Sequence, residues 1–211
     1  MILRSLIACC SPVPPRPAKS PRRPWPTYTR RSASCRRWVS RNQMVYTLGV
    51  VIPVPQPHRE TLRAWRREFG GAATEVIAPH ITLVSGSYLH SWEKAAAQVR
   101  RVAATVEPFT IQLGPARTFR PASDVVFLPL ETGTDECWKL HRALLGDALR
   151  HESAFAYHPH LTIAQNVPAR QLDAAEAALG QAHLSFAADR IHLFDTRGGD
   201  WNFSEDIALG S

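Results

Sequence analysis

The chain has 211 residues, of which 45% are hydrophobic, and a formal net charge of +7 at pH 7. That composition is typical of a globular protein and excludes wholesale disorder, and no apolar run approaches the ~20 residues that a membrane-spanning helix needs. The positive charge suggests nucleic acid as a partner, but residues 1–43 hold ten of the 25 Lys and Arg residues and none of the 18 acids. Residues 44–211 therefore carry a net charge of −3.

The first 43 residues differ from the rest in composition as well as in charge. They hold seven of the 17 prolines, three of the four cysteines and no histidine, and they lack apolar periodicity. We therefore expect a disordered, basic, Pro- and Arg-rich extension over residues 1–43. An organelle transit peptide, a basic RNA-binding arm and an untranslated stretch upstream of a true start at Met44 all fit it. Cys137 is the one cysteine of the remainder, which favours a reducing cytoplasm.

Residues 44–211 are predicted to form one domain of strands and helices. Runs of β-branched and aromatic residues that stop at Pro or Gly predict strands, and apolar residues at three- and four-residue spacing predict helices. In chain order the prediction is strand 45–53, helix 57–69, strand 79–84, helix 91–106, strand 109–113, strand 125–130, helix 136–149, strand 159–164, helix 169–179 and strand 183–194.

Two stretches of this domain occur twice at one constant spacing. Alignment of the domain with itself places residues 45–53 on 125–133 and residues 78–84 on 158–164. Two copies predict duplicated lobes, since a solenoid needs at least three repeats. The expected fold class is α+β, with two lobes related by a pseudo-twofold axis. Each lobe is a mainly antiparallel sheet with helices on its outer face, and the active-site cleft lies between the sheets.

The tetrapeptide Pro-His-x-Thr occurs in both copies, at residues 79–82 and 159–162. Roughly 0.04 occurrences are expected by chance, so the pair is a specific signal. Side chains alternate between the faces of a strand, so His80 and Thr82 share one face and His160 and Thr162 do the same in the second copy. If the two sheets face each other, two imidazoles and two hydroxyls converge on one cleft.

Two opposed imidazoles suit a displacement at phosphorus. One imidazole takes a proton from the attacking oxygen and the other gives one to the leaving oxygen, because a pKa near 6.5 lets both forms coexist near neutrality. Each threonine hydroxyl can donate to a phosphoryl oxygen in the transition state. This chemistry needs neither a metal nor a cofactor.

The paired motifs in a duplicated α+β chain resemble the two-histidine (2H) phosphoesterase superfamily, which includes bacterial 2′-5′ RNA ligase-like proteins and cyclic nucleotide phosphodiesterases. The resemblance covers the chain from Met44 onwards. It implies that His80 and His160 are the acid–base pair and that Thr82 and Thr162 bind the phosphate. It also implies hydrolysis of a 2′,3′-cyclic phosphate to a 2′-phosphate, or reversible 2′-5′ joining of RNA ends. Which histidine is the acid stays open, although a 2′-phosphate product favours His80.

Four further residues are candidates for substrate contacts. Tyr157 and His158 are expected to line the cleft or to support the second motif. The spacing of His158 and His160 is that of a metal site, but no cluster supplies the other ligands, so no metal is expected. Arg197 can meet a phosphate and Trp201 can stack on a base. A solvated turn arginine and a packed aromatic are the alternatives.

Other residues give weaker signals. Arg117, Phe119 and Arg120 line either the substrate entrance or a surface loop. The remaining histidines that show no partner pattern are expected to be ordinary surface or interface residues; they are His90, His141, His151, His183 and His192.

The sequence thus favours a metal-independent phosphoesterase whose partners are RNA ends or small cyclic-phosphate nucleotides. We expect a cytoplasmic monomer without a membrane partner. The rival hypothesis is a non-catalytic protein that binds RNA ends or nucleotides in the same cleft. A third hypothesis places the function in the basic extension.

Overall fold

The structure is a computed structural model that describes residues 47–88, 91–146, 148–153 and 155–210. The basic extension predicted at residues 1–43 lies outside the described residues. No helix in the described part of the chain is long and apolar enough to cross a membrane.

The described residues form two sheets and four α-helices. The strands are β1 (Thr47–Pro53), β2 (His80–Tyr88), β3 (Phe109–Leu113), β4 (Arg117–Thr118), β5 (Val125–Thr132), β6 (Leu149–His151), β7 (His160–Gln165), β8 (Leu184–Ala188), β9 (Arg190–Asp195) and β10 (Asn202–Ala208). The helices are α1 (His58–Phe69), α2 (Trp92–Ala103), α3 (Thr134–Leu144) and α4 (Ala169–Ala178). This confirms the α+β class.

Both sheets are antiparallel. The first has the order β10-β9-β1-β2-β6. In the second, β5 pairs with β4 and β7 along its first half and with β3 along its second half, and β8 lies beyond β3.

The two copies exchange strands. Strand β3 ends the first copy but pairs with β5 of the second sheet, and β9 follows the second copy but pairs with β1 of the first sheet. Each copy also contributes a helix to the other, since α1 of the first copy packs against β7 and α3 of the second copy packs against β2. Hydrophobic pattern predicts that a segment is a strand but not which strand it joins, so the sequence did not indicate this exchange.

The register corrects the alignment of the first strands. Pro53 lies opposite His80, and Pro129 lies opposite His160. The first strands of the two copies therefore correspond with Pro53 on Pro129, whereas the sequence repeat had placed Pro53 on Gly133. In both copies a β-bulge follows the motif threonine, because the pairing skips one residue of the motif strand. Bulges re-aim side chains and are common beside active sites.

Two predicted elements differ from the observed ones. Helix 136–149 ends at Leu144, and Leu149 is buried instead by pairing with Tyr88 at the edge of the first sheet. Strand 183–194 is interrupted at Asp189, so that β8 joins β3 and β9 joins β1. A short strand such as β6 and the final strand β10 carry too little periodicity for the sequence to predict them.

One continuous core lies between the sheets and helices. Leu62 and Phe69 of α1, Leu140 and Leu144 of α3 and Leu172 of α4 belong to it. Burial of this apolar surface fixes the helices on the sheets and leaves the opposite sheet faces to the motif side chains.

Candidate active site

The two motif strands begin at their histidines. His80 and Thr82 are partly buried, while Ile81 and Leu83 between and beyond them are fully buried in the core. The second motif has the same pattern, with His160 and Thr162 partly buried and Leu161 and Ile163 in the core. Each strand therefore sends its polar pair away from the core, as strand alternation predicts.

Both histidines are held in the same tautomer. Nδ1 of His80 lies 2.7 Å from the carbonyl oxygen of Ala78, and Nδ1 of His160 lies 2.6 Å from that of His158. A carbonyl oxygen can only accept, so each Nδ1 carries a hydrogen and donates it. In both motifs Nε2 is left as the nitrogen that can exchange a proton with a ligand.

Electrostatics link the two histidines. Burial lowers the pKa of His80 to about 4, the hydrogen bond to Ala78 opposes this, and the charges of Arg66 and His160 lower it further. Burial also lowers the pKa of His160, the hydrogen bond to the carbonyl of His158 opposes this, and the charge of His158 lowers it further. These lowered pKa values favour two neutral imidazoles, and a phosphate anion between the rings would favour protonation of one.

The motifs meet at a cavity of about 440 Å³. Its lining includes Thr82 of the first motif and His160 of the second. It also includes Phe119, Val125, Tyr157 and His158, together with Ala122, Ser123, His151, Ser153, Phe155 and Ala156. Side chains from the two separate motifs thus border one space, which the strand exchange and the contact between β2 and β7 make possible.

An aromatic ring supports each histidine. The ring of Trp201 lies 5.9 Å from that of His80, and the ring of Phe119 lies 5.0 Å from that of His160, edge to face. Phe119 also stacks on Phe127 at 3.9 Å. These contacts limit the orientations open to the two imidazoles.

A buried polar residue from each crossing helix holds the motif strand of the other copy. Arg66 of α1 is 3% exposed and donates to the carbonyl oxygens of Thr162, Thr74 and Ile77. It therefore ties the second motif to the segment that leads into the first. In α3, Nδ1 of buried His141 lies 2.7 Å from the carbonyl oxygen of Leu83 in β2. Burial lowers the pKa of Arg66 to about 10, so it is charged at pH 7.

The other sequence candidates lie in different places. Tyr157 and His158 line the cavity, whereas Arg197 and Trp201 do not. Arg197 lies in a turn after β9, and its Nε donates to Asp195 at 2.8 Å. Trp201 is partly buried beside His80.

The weaker candidates divide in the same way. Phe119 lines the cavity, but Arg120 forms ion pairs with Asp173 and Glu176 of α4. Arg117 lies in β4, opposite Phe127.

The sequence underestimated two histidines and one arginine. His141 is buried and stacks on Tyr157 at 3.8 Å, and His151 lines the cavity, so neither is an ordinary surface residue. Arg66 went unnoticed, although it lies four residues after Leu62 and three before Phe69, on the buried face of α1. That spacing was the available signal.

Within the described ranges, no group of three or more His, Cys, Asp and Glu side chains is placed to hold a metal ion. Among these described residues, none of those types joins His158 and His160 as a third metal ligand. Cys137 is buried, and its burial raises the pKa of the thiol to about 12.

Comparison with known proteins gives consistent relatives. A phosphoesterase-named protein of Geobacillus kaustophilus is 28% identical over 167 residues, which span 77% of this chain and 95% of the relative. One from Bacillus cytotoxicus is 30% identical over 173 residues, with coverage of 77% and 96%. The structure of E. coli LigT complexed with NADP+ has a TM-score of 0.56 at 22% identity and covers 80% of this chain and 100% of LigT. LigT complexed with 3′-AMP gives 0.55, at the same identity and coverage.

The structural likeness shows a common fold. The family model described as the 2′-5′ RNA ligase superfamily matches residues 53–200, which is more than half of the chain and includes both Pro-His-x-Thr motifs. The chain therefore belongs to the 2′-5′ RNA ligase superfamily.

Proposed function

We propose that the protein is a phosphoesterase that opens the 2′,3′-cyclic phosphate of an RNA end or nucleotide by two-histidine acid–base catalysis. Reversible 2′-5′ joining of RNA ends, in which a 5′-hydroxyl attacks the cyclic phosphate in place of water and the ribose 3′ oxygen leaves, is proposed for the same site. The observation that carries this proposal is the cavity bordered by both Thr82 and His160, because the phosphate-binding role that we propose for one motif and the acid–base role that we propose for the other then meet in one space.

The proposed reaction follows from the tautomers. In the proposed complex the phosphorus centre lies between His80 and His160. Each ring faces it with Nε2, because each Nδ1 donates to a carbonyl oxygen. The neutral ring accepts the proton of the attacking water, and the protonated ring gives its proton to the leaving ribose oxygen. Each transfer contributes typically ~10²–10⁴ in rate.

The threonines complete the site. Among the described residues, the hydroxyl groups of Thr82 and Thr162 donate no hydrogen bond. Both are therefore available to the non-bridging phosphoryl oxygens, where negative charge gathers in the transition state.

The relatives support this chemistry. The curated relatives carry phosphoesterase names, and LigT has been crystallised with 3′-AMP, with NADP+ and with phosphate. A nucleotide phosphate is thus the ligand class that the comparisons favour for this groove.

The test is turnover of a nucleoside 2′,3′-cyclic phosphate in the presence of EDTA, with the products resolved into 2′- and 3′-phosphates. Because the chain supplies both proton transfers, we expect activity to survive the chelator. His80→Ala and His160→Ala should each lower kcat by about 10²–10⁴. His183→Ala is the matched control, since His183 is exposed, pairs with Glu131 and lies outside the cavity lining.

Two results contradict the proposal. Loss of all activity with EDTA would show that a metal is required. Binding of the cyclic nucleotide by the wild-type protein without any turnover would favour the non-catalytic binding protein instead.

A further inference from the structure

A second cavity lies beside helix α1, outside the space that the two motifs border. Its volume of about 360 Å³ falls within the ~300–1,000 Å³ typical of small-ligand sites. One wall is a charged face of α1, and the other is the segment 74–79 that leads into the first motif. This cavity shares no described lining residue with the cavity beside His160, so the two are separate sites.

Helix α1 brings three arginines to this cavity. Arg66 and Arg67 follow Arg63 by three and four residues, a spacing that places side chains on one side of a helix. Glu60 lies on the same side and forms ion pairs with Arg63 at 3.8 Å and with Arg67 at 3.0 Å. One carboxylate is thus shared by two guanidinium groups and balances the charge of only one of them.

The third arginine, Arg66, is a buried cation whose contacts are all with neutral groups. Its Nε and Nη1 donate to the carbonyl oxygens of Thr162, Thr74 and Ile77. Among the described residues no carboxylate forms an ion pair with it, and burial lowers its pKa, which the charge of Glu75 opposes. A buried charge without a counter-ion is costly, and an adjacent anion would stabilise it.

The Nη2 group of Arg66 is free to meet such an anion. In the described part of the chain it donates to no acceptor, while the only fully enclosed side-chain atom without a hydrogen-bond partner is the hydroxyl of Tyr157. Nη2 is therefore not sealed inside the core, and Arg66 lines the cavity. A guanidinium with free N–H groups donates to phosphate oxygens in a fork geometry that matches them.

The balance of charge also favours an anion. The lining carries three guanidinium groups, from Arg63, Arg66 and Arg67, and two carboxylates, from Glu60 and Glu75. A cation would meet this excess of positive charge, whereas a phosphate group would meet donors from the buried and from the exposed arginines. The two carboxylates oppose binding, so removal of one of them should strengthen it.

We propose that this cavity binds a phosphate group, at a site separate from the groove between the motifs. Arg66 meets the anion from the buried side, and Arg63 and Arg67 meet it from the exposed side. The site adjoins Ala78, whose carbonyl oxygen accepts the hydrogen bond of His80, and Arg66 also holds the carbonyl oxygen of Thr162. An anion here therefore contacts the supports of both motif strands. The proposal is independent of the cyclic-phosphate chemistry.

A titration of the full chain with inorganic phosphate, followed by NMR of the backbone amides, tests this site. We expect saturable shifts over residues 63–67 and 74–78, and sodium chloride at equal ionic strength should not reproduce them. The shifts should persist in the double variant His80→Ala/His160→Ala, which weakens phosphate binding in the groove. Their loss in that variant would show that they follow from binding at the motifs, and would overturn the separate site.

Two sets of variants at exposed positions should have opposite effects. Arg63→Gln/Arg67→Gln should weaken phosphate binding at α1 by at least about tenfold, because charge-assisted donors are lost. Glu60→Gln should strengthen it, since the competing carboxylate is removed. Arg101→Gln is the matched control, because Arg101 is exposed on α2 and does not line the cavity. An unchanged affinity in the double arginine variant, or an equal loss in Arg101→Gln, would overturn the proposal.

A second ligand identifies the source of the phosphate group. A short single-stranded RNA without terminal phosphates carries the group only in its backbone, whereas inorganic phosphate is free in solution. Saturable shifts over residues 63–67 with this RNA would support a site for the RNA backbone, and shifts with inorganic phosphate alone would support a site for a free phosphate. The absence of saturable shifts with both ligands would overturn the site.

Discussion

On the first sheet the indole of Trp201 covers Gly49 and lies against His80, whereas on the second sheet Val125, the counterpart of Gly49, borders an open cavity beside His160. The bulge after the threonine, the proline opposite the histidine and the Nδ1 contact to a carbonyl two positions earlier are the same on both sheets. The two copies thus share the geometry of their motif residues, while the surrounding walls differ.

This difference separates two tasks. A displacement at phosphorus needs a proton acceptor and a proton donor. A neutral imidazole can accept and a protonated imidazole can donate, so the same type of side chain can fill both roles. The substrate that we propose is not symmetric, because only one side of its phosphorus carries a nucleoside. The walls beside the two histidines are not symmetric either, since Trp201 covers Gly49 whereas Val125 borders the cavity.

The largest expected effect concerns the motif threonines, which both copies share. Thr82→Val and Thr162→Val each remove one hydroxyl donor while keeping a β-branched side chain of similar size. Loss of one such donor lowers kcat by about 10²–10³, and we expect the two variants to agree within about tenfold because the threonines occupy corresponding positions in the two motif strands. Steady-state kinetics on the cyclic nucleotide measure this. An effect confined to KM in either variant would show that the threonine binds substrate without stabilising the transition state.

The second prediction concerns Arg66, whose charge is one of the causes that lower the pKa of His80. The charge of Arg66 contributes to the lowered pKa of His80, but it is not among the causes that lower the pKa of His160. Arg66→Met should therefore raise the pKa of His80. If His80 acts as the base, the fall of kcat/KM on the acid side moves to higher pH, and if it acts as the acid, the fall on the alkaline side moves to higher pH. Arg66→Lys keeps the charge and should leave that limb closer to the wild-type position.

The same arginine affects stability. Arg66→Met leaves three carbonyl oxygens without their donor, so we expect a loss of at least ~2 kcal/mol in the free energy of unfolding. Urea unfolding of both variants measures this loss. If Arg66→Met lowers stability but the kcat/KM profile does not move, Arg66 has only a structural role.

The third prediction concerns the filled wall. Gly49→Ala should destabilise the protein by about 1–3 kcal/mol, because the new methyl group collides with Trp201. In the Trp201→Ala background the added cost should fall to below about 0.5 kcal/mol, since the colliding ring is absent. Gly180→Ala is the control, because its added Cβ meets ordinary contacts at 3.4 and 3.5 Å. If Gly49→Ala lowers the free energy of unfolding equally in both backgrounds, the collision with Trp201 is not the cause of the loss.

The sequence could predict the two Pro-His-x-Thr motifs and the faces on which their side chains lie. Pro-His-x-Thr is local, so strand alternation places His80 with Thr82 and His160 with Thr162 without knowledge of the partner strands. The walls depend on contacts between distant segments, such as Trp201 over Gly49 or Phe119 beside His160. The strand exchange and the register of the first strands decide those contacts, and neither is written in local periodicity.

Arg66 and Arg197 show the same limit from opposite directions. Arg66 is an arginine in a helix rich in charged residues, and only its position between Leu62 and Phe69 distinguishes it from its exposed neighbours. Arg197 stands among glycines in a turn, which is typical of a phosphate-binding loop, yet its guanidinium contacts Asp195. A local pattern identifies the residue type but not the group that it meets in the fold.

The smallest expected effect is therefore that of Arg197→Gln. The ion pair with Asp195 is exposed on the arginine side and lowers the pKa of Asp195, so the carboxylate balances the guanidinium charge. Pairs of this kind contribute about 0–1 kcal/mol to the free energy of unfolding. We therefore expect kcat/KM for the cyclic nucleotide to change less than about threefold, which corresponds to a free-energy change inside the same range. A rise in KM of tenfold or more would show instead that Arg197 leaves Asp195 to bind substrate.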